Sequence, residues 1–102
     1  MAHSESRIMM GFNSPNIMKC YECFENVDIK IMILEYCNGG SLQQKISKMK
    51  KIPAQEAISI LKQIINGIAV CHNKKVIHRD LKPANILIHN GEYKIADFGF
   101  SK

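Results

Sequence analysis

After Pro53 the apolar residues fall at Ala57, Ile58, Leu61, Ile64, Ile65, Ile68 and Ala69, at spacings of three and four. This is the period of an amphipathic helix, and a proline suits the first turn of one. Lys62, Gln63 and Asn66 fall on the opposite face. A helix with so wide an apolar face must pack against something large. The chain has 102 residues, which allows one small domain and a core of thin margin.

The other elements are shorter. A helix is possible over residues 5 to 11, and the turn cluster Asn13-Ser14-Pro15-Asn16 stops it. Ile17 to Phe24 reads as a strand, with a polar turn at Glu25-Asn26. Lys30 to Tyr36, richer in Ile, Met and Leu, reads as a more buried strand. Asn38-Gly39-Gly40 breaks it, and Ser41 is placed to cap a short helix running to about Lys50. Ile86 to His89 and Glu92 to Ile95 flank Asn90-Gly91, a strong two-residue hairpin signal. Helix, strand, strand, helix, long helix, polar loop and hairpin make an α+β order.

Composition narrows the function classes. Hydrophobic residues at 46% and charged residues at 23% are ordinary globular values, which argues against disorder. The net charge of +5 raises a nucleic-acid reading. Much of the excess is the run Lys45, Lys48, Lys50 and Lys51, which has no interleaved aromatic and reads as a solvated helix face. No nucleic-acid partner is therefore expected, whereas a phosphate-bearing small ligand would tolerate the positive surface. Met1-Ala-His-Ser-Glu-Ser-Arg has no apolar run behind it, and no stretch has the length of a membrane span. The expectation is an intracellular, cytoplasmic setting, the nucleus included, with Cys20, Cys23, Cys37 and Cys71 reduced. Cys20-x-x-Cys23 lacks the second pair that a zinc site requires.

The chemistry concentrates on either side of the hairpin. Before it lies His78-Arg79-Asp80-Leu81-Lys82-Pro83-Ala84-Asn85, and after it Ala96-Asp97-Phe98-Gly99. Asp80 and Asp97 supply carboxylates, Asn85 a neutral oxygen ligand and Lys82 a mobile cation. Oxygen ligands of this kind suit magnesium, which keeps several waters and recruits phosphate oxygens. A hairpin between Asn85 and Asp97 can bring both to one point. Asp80 would then face an incoming hydroxyl, and Lys82 could neutralise charge on a moving phosphoryl group. Phosphoryl transfer needs little beyond alignment and charge neutralisation, so this kit suffices for it.

His-Arg-Asp-Leu-Lys-Pro-x-Asn-Ile-Leu followed by Asp-Phe-Gly resembles the catalytic core of eukaryotic-type serine/threonine protein kinases. The resemblance implies a protein-kinase-like α+β fold, present in part. Residues 1–36 would be the end of the small lobe from its regulatory helix, and residues 37–102 the hinge and the start of the large lobe. It implies Asp80 as catalytic base, Lys82 on the transferring phosphate, and Asn85 and Asp97 as ligands of Mg²⁺. It also implies an ATP site. Leu34 would be the gatekeeper, the main chain at Glu35 and Cys37 would bind adenine, Leu87 would floor the ring, and Ser41 would lie near the ribose. Lysine two residues after the aspartate is the serine/threonine form, so the implied partners are ATP and a protein carrying Ser or Thr. Arg79 resembles the arginine that receives an activation-loop phosphate. Glu5 stands at the spacing of the regulatory helix's glutamate, and Met9, Cys20, His78 and Phe98 would stack as the family's hydrophobic column. The stretch from Asn85 onward is similar to autophagy-initiating kinases, mainly through Phe100, while calcium/calmodulin-type and mitotic kinases come close in the hinge and helix segments.

Judged against that resemblance, no glycine-rich loop precedes Glu5, no Val-Ala-x-Lys strand is present, and an activation segment does not follow Gly99. The expectation is an internal portion of a kinase domain, inactive and poorly soluble by itself. The alternative is a short kinase-derived product that binds or interferes without catalysing.

Overall fold

The computed structural model describes residues 11–76 and 80–96. Within them lie strands β1 (Cys20–Glu25) and β2 (Lys30–Leu34), helices α1 (Leu42–Met49) and α2 (Ala54–Asn73), a 3₁₀ turn (Pro83–Asn85), and strands β3 (Ile86–His89) and β4 (Glu92–Ile95). Each pair of strands forms an antiparallel two-stranded sheet. The expected helix over residues 5 to 11, with Glu5 and Met9, lies outside the described residues except for its last position, as do His78, Arg79, Asp97 and Phe98.

Local chemistry sets the turns and caps. Between β1 and β2 the Asn26 carboxamide oxygen accepts from the amides of Asp28 (2.9 Å) and Ile29 (2.8 Å), so one side chain folds the turn. Between β3 and β4, Asn90 and Gly91 both have positive φ (50° and 82°). That pair of angles is what a two-residue hairpin needs for its twist to match the strands. At the start of α1 the Ser41 hydroxyl accepts from the Gln44 amide (3.2 Å) and the Gln44 side chain accepts from the Ser41 amide (2.9 Å). This reciprocal box satisfies two backbone donors that a helix start otherwise leaves unpaired.

The β3–β4 hairpin organises everything else. On its β4 edge the segment 16–18 runs parallel, with Met18 N donating to Ile95 O (3.0 Å) and Ile95 N to Asn16 O (2.9 Å). On its β3 edge the chain after β2 is joined by Gly39 N to Ile88 O (2.7 Å) and Ile88 N to Gly40 O (2.9 Å). Ile17, Ile86 and Ile95 are the most deeply buried side chains, with Phe12, Met18, Cys20, Leu42, Ile60, Cys71, Tyr93 and Ala96 around them. Full burial of one such isoleucine is worth about 1.5–3 kcal/mol. The centre of the hairpin is thus the centre of the core.

Helix α2 forms where expected but docks by a different face. Ile60, Gly67 and Cys71 are buried, Gly67 against Asn16 and Ile95, and Ile64 of the expected face packs on the core, while Ile58, Leu61, Ile65 and Ile68 are exposed. Gln63, expected to point outward, is half-buried, and Asn66, though exposed, reaches back to the strand edge. Asn16 Nδ2 donates to Gln63 Oε1 (3.0 Å), and Asn66 Nδ2 donates to Asn16 Oδ1 (2.8 Å). Gln63 Oε1 also accepts from the Tyr93 amide (2.8 Å), and Asn16 Nδ2 donates to Tyr93 O (2.9 Å). The physical reason is that this side of the helix meets backbone. A close approach to strand edges calls for amide side chains and a glycine, and bulky aliphatics would hold the surfaces apart.

Three further expectations are corrected. The strand read as Lys30 to Tyr36 ends at Leu34, and it is not the more buried one. Ile31 and Ile33 share an exposed face, while Met32 and Cys23, which pair across β1 and β2, pack on the core. Side chains alternate along a strand, and among the described residues only one side of this sheet has a neighbour. The strand read as Ile17 to Phe24 starts at Cys20, because Ile17 is occupied in its bridge to Ile95. Lys45 departs from the solvated basic run by pairing with Glu56 of α2, its ammonium 5.8 Å from the centre of the Tyr93 ring. No described helix is long and apolar enough to cross a membrane.

Candidate active site

The polar loop that ends in the 3₁₀ turn is drawn together by Asn85. Its Nδ2 donates to Asp80 O at 2.7 Å and lies 3.3 Å from Asp80 Oδ2. The Asn85 amide donates to Lys82 O (2.9 Å), closing the turn that Pro83 starts. Asn85 is buried, and Lys82 reaches back so that its Nζ lies 3.8 Å from Asp80 Oδ2. A carboxylate, an ammonium and a carboxamide therefore occupy one small region.

The hairpin brings Ala96, the first residue of the second motif, to the same place. Ile86 pairs with Ile95, and one step beyond, Ala96 N donates to Asn85 O (2.9 Å). Asp97 itself lies outside the described residues. It follows directly on the residue bonded to Asn85, so the junction expected from the sequence is present up to Ala96. With its Nδ2 directed at Asp80, Asn85 retains its carboxamide oxygen as an acceptor. Of the two expected metal ligands, Asn85 offers a hard oxygen of the kind magnesium takes and Asp97 lies outside the described residues, among which no three His, Cys, Asp or Glu side chains gather to hold a metal.

Of the residues expected to hold a nucleotide, Ser41 and Leu87 are brought together. Ser41 bridges Leu87 in antiparallel fashion, so the segment after β2 lies directly on the strand that leads out of Asn85. Leu34 ends β2 opposite Cys20. Cys37 and Leu87 are half-buried and pack against the core. Burial first, and then the negative charge of Glu35, push the Cys37 thiol up, against an opposing effect of Lys94. The Ser41 hydroxyl accepts from Gln44 N as a helix cap.

Glu35 has a role the sequence did not disclose. Its amide donates to Lys19 O (2.8 Å), and its carboxylate accepts from Lys19 N (3.0 Å) and from Lys94 Nζ (3.1 Å). Burial raises its pKa, but the Lys19 amide and the Lys94 ammonium outweigh this and hold the carboxyl below the usual range. Lys94 Nζ also donates to Pro15 O (2.9 Å) and lies 3.6 Å from Glu92. One buried lysine thus ties β4 to the turn before Ile17 and to the end of β2. No sequence signal marked it, because a lone lysine in a short hairpin strand normally faces water.

The Asp80-x-Lys82-x-x-Asn85 loop thus leads into a hairpin whose far strand returns to Asn85 through Ala96. The model of the protein kinase domain matches residues 1–102, and the chain belongs to that family. It is 41% identical over 100 residues to mitogen-activated protein kinase kinase 1 of Arabidopsis thaliana, and 41% identical over 98 residues to Aurora kinase A-A of Xenopus laevis. It is 42% identical over 101 residues to calcium-dependent protein kinase 5 of Plasmodium berghei. These matches take in 96%, 95% and 95% of the chain and 28%, 24% and 18% of the respective relatives, so the chain spans less than a third of each. Near-equal identity to three differently named groups singles out none of them.

Proposed function

We propose that this chain is the hinge-to-catalytic-loop portion of a kinase that moves the γ-phosphoryl group of ATP, with Mg²⁺, onto Ser or Thr hydroxyls of a protein. The observation that carries the reading is the Asn85 junction. One residue bonds the Asp80 loop through its side chain and the segment entering Asp97 through its carbonyl. In this reading residues 1–36 end the small lobe and residues 37–102 begin the large one.

Asp80 accepts the proton of the substrate hydroxyl as that oxygen attacks. Lys82, within 3.8 Å of the same carboxylate, balances charge on the phosphoryl group in transit. Asn85 and Asp97 would hold Mg²⁺, which when bound neutralises the phosphate oxygens. The Glu35 carbonyl and the Cys37 amide would receive the adenine edge over Leu87. Leu34 would limit the depth of that site, and Ser41 would lie beside the ribose.

The test is transfer of labelled γ-phosphate to Ser/Thr peptides by the intact protein. Asp80→Asn should lower the rate by roughly 10²–10⁴-fold, the usual contribution of a positioned base. Full activity in Asp97→Ala would overturn the reading.

A further inference from the structure

The segment after β2 is laid on β3 by a short ladder whose inner rungs are backbone. Gly39 N donates to Ile88 O, Ile88 N donates to Gly40 O, and Ser41 bridges Leu87. The outermost rung is a side chain. Asn38 N donates to His89 Nδ1 at 3.2 Å, so an imidazole nitrogen stands where a strand would offer a carbonyl. Asn90, at the hairpin turn, closes the corner. Asn38 Nδ2 donates to Asn90 Oδ1 (2.9 Å), and Asn90 N donates to Asn38 Oδ1 (3.3 Å). The Tyr36 ring meets the imidazole edge-on, with centroids 6.2 Å apart.

This rung differs from the others in being titratable. Nδ1 accepts a proton only while it carries a lone pair, so the contact requires neutral imidazole with its hydrogen on Nε2. Nε2 lies 3.3 Å from Asn90 Nδ2, a contact that only the opposite tautomer could make, so the two exclude each other and the clamp is the Nε2–H form. Protonation puts a hydrogen on Nδ1 facing the Asn38 N–H, and the rung opens. The charges around the ring are Glu35, which feels its charge, Glu92, its cross-strand partner, and Lys94, which is bound to both carboxylates. The two carboxylates favour the cationic ring and Lys94 opposes it.

Asn38 N–H and Cys37 C=O belong to one planar peptide unit, so fixing the first anchors Cys37, whose amide the reading above gives to adenine. We propose that His89 is a positioning residue for the nucleotide site, the neutral imidazole clamping the Cys37–Asn38 peptide onto β3 and its protonation releasing that peptide and weakening adenine binding. This rests on the reading above that adenine lies against Glu35 and Cys37.

The test uses the intact protein, with adenosine as the probe because it carries no group that titrates between about pH 5.5 and 8, the range in which histidine changes charge. Loss of one hydrogen bond predicts that affinity falls roughly two- to ten-fold from the upper to the lower pH. His89→Ala should be weak by the same factor throughout. His89→Asn, whose side-chain oxygen stands in for Nδ1, should bind as the parent does near neutrality and lose the pH dependence. The clamp itself is read without nucleotide by NMR. The Asn38 amide should move with the same midpoint as the His89 ring, and the neutral ring should show the Nε2–H tautomer. A neutral Nδ1–H ring, an Asn38 amide indifferent to pH, or a pH slope in His89→Ala equal to the parent's would overturn the proposal. Absence of adenosine binding at any pH, with the NMR clamp intact, would refute the nucleotide reading and with it the positioning role, while leaving the clamp established.

Discussion

The Lys94–Glu35 pair permits a prediction whose sign pattern follows from burial alone. The side chain of Lys94 is 5% exposed and that of Glu35 16%. Glu35→Gln keeps a neutral oxygen beside Lys94 but removes the charge that balances it, so an interior ammonium is left with Pro15 O at 2.9 Å and, as its one carboxylate, the exposed Glu92 at 3.6 Å. Removing one partner of a buried ion pair in this way costs about 3–5 kcal/mol. Lys94→Met keeps the apolar stem packed and removes the deeper charge. It leaves Glu35 less buried and still bonded to the Lys19 amide, and strands the Pro15 carbonyl, for a cost of about 1–3 kcal/mol. Glu35→Gln should therefore be the worse single change. The double variant should lie close to Lys94→Met, far short of the sum, because the pair is one unit. Urea midpoints with a common slope measure all three. Lys94→Met as costly as Glu35→Gln, or additive effects, would refute the reasoning. The pH dependence adds an independent check. The Glu35 carboxyl is held below its usual range, so its contribution is present above the unfolded carboxylate pKa and lost as pH falls through the lower folded value. Glu35→Gln should flatten that acid limb.

Two other substitutions test the docking of the helices. Gly67→Ala would gain about 1 kcal/mol of helix propensity, but its Cβ would lie 2.8 Å from Asn16 O and from Ile95 Cδ1. The isoleucine can shift and the backbone oxygen, which holds Ile95 N, cannot, so a net loss of about 1–2 kcal/mol is expected in thermal unfolding; a stabilised variant would show that α2 can move off the hairpin. Ser41→Ala removes the side-chain acceptor for Gln44 N and should cost about 1 kcal/mol, with hydrogen exchange accelerated in the first turn of α1 and unchanged in α2.

What could be read from the sequence was whatever residue type alone determines. Asn90-Gly91 demands positive φ and makes a tight hairpin in almost any surroundings. Ser41 caps because its hydroxyl competes for nearby backbone amides. Pro53 starts a helix because it has no amide to lose. The Asp80, Lys82 and Asn85 loop stood out because three polar groups follow one another in a short stretch, and the turn from Pro83 to Asn85 gathers them. Tertiary structure alone decided which face of α2 is buried, that Ile31 and Ile33 are exposed, that Lys94 is buried, and that Gln63 and Asn66 bond Asn16. Periodicity reports that a helix has two faces; it does not say whether a neighbour arrives as side chains or as backbone. Where the neighbour is backbone, amides, a glycine and one paired lysine fit better than aliphatic bulk. That choice is made only when Asn16, Tyr93 and Ile95, far apart in sequence, come together.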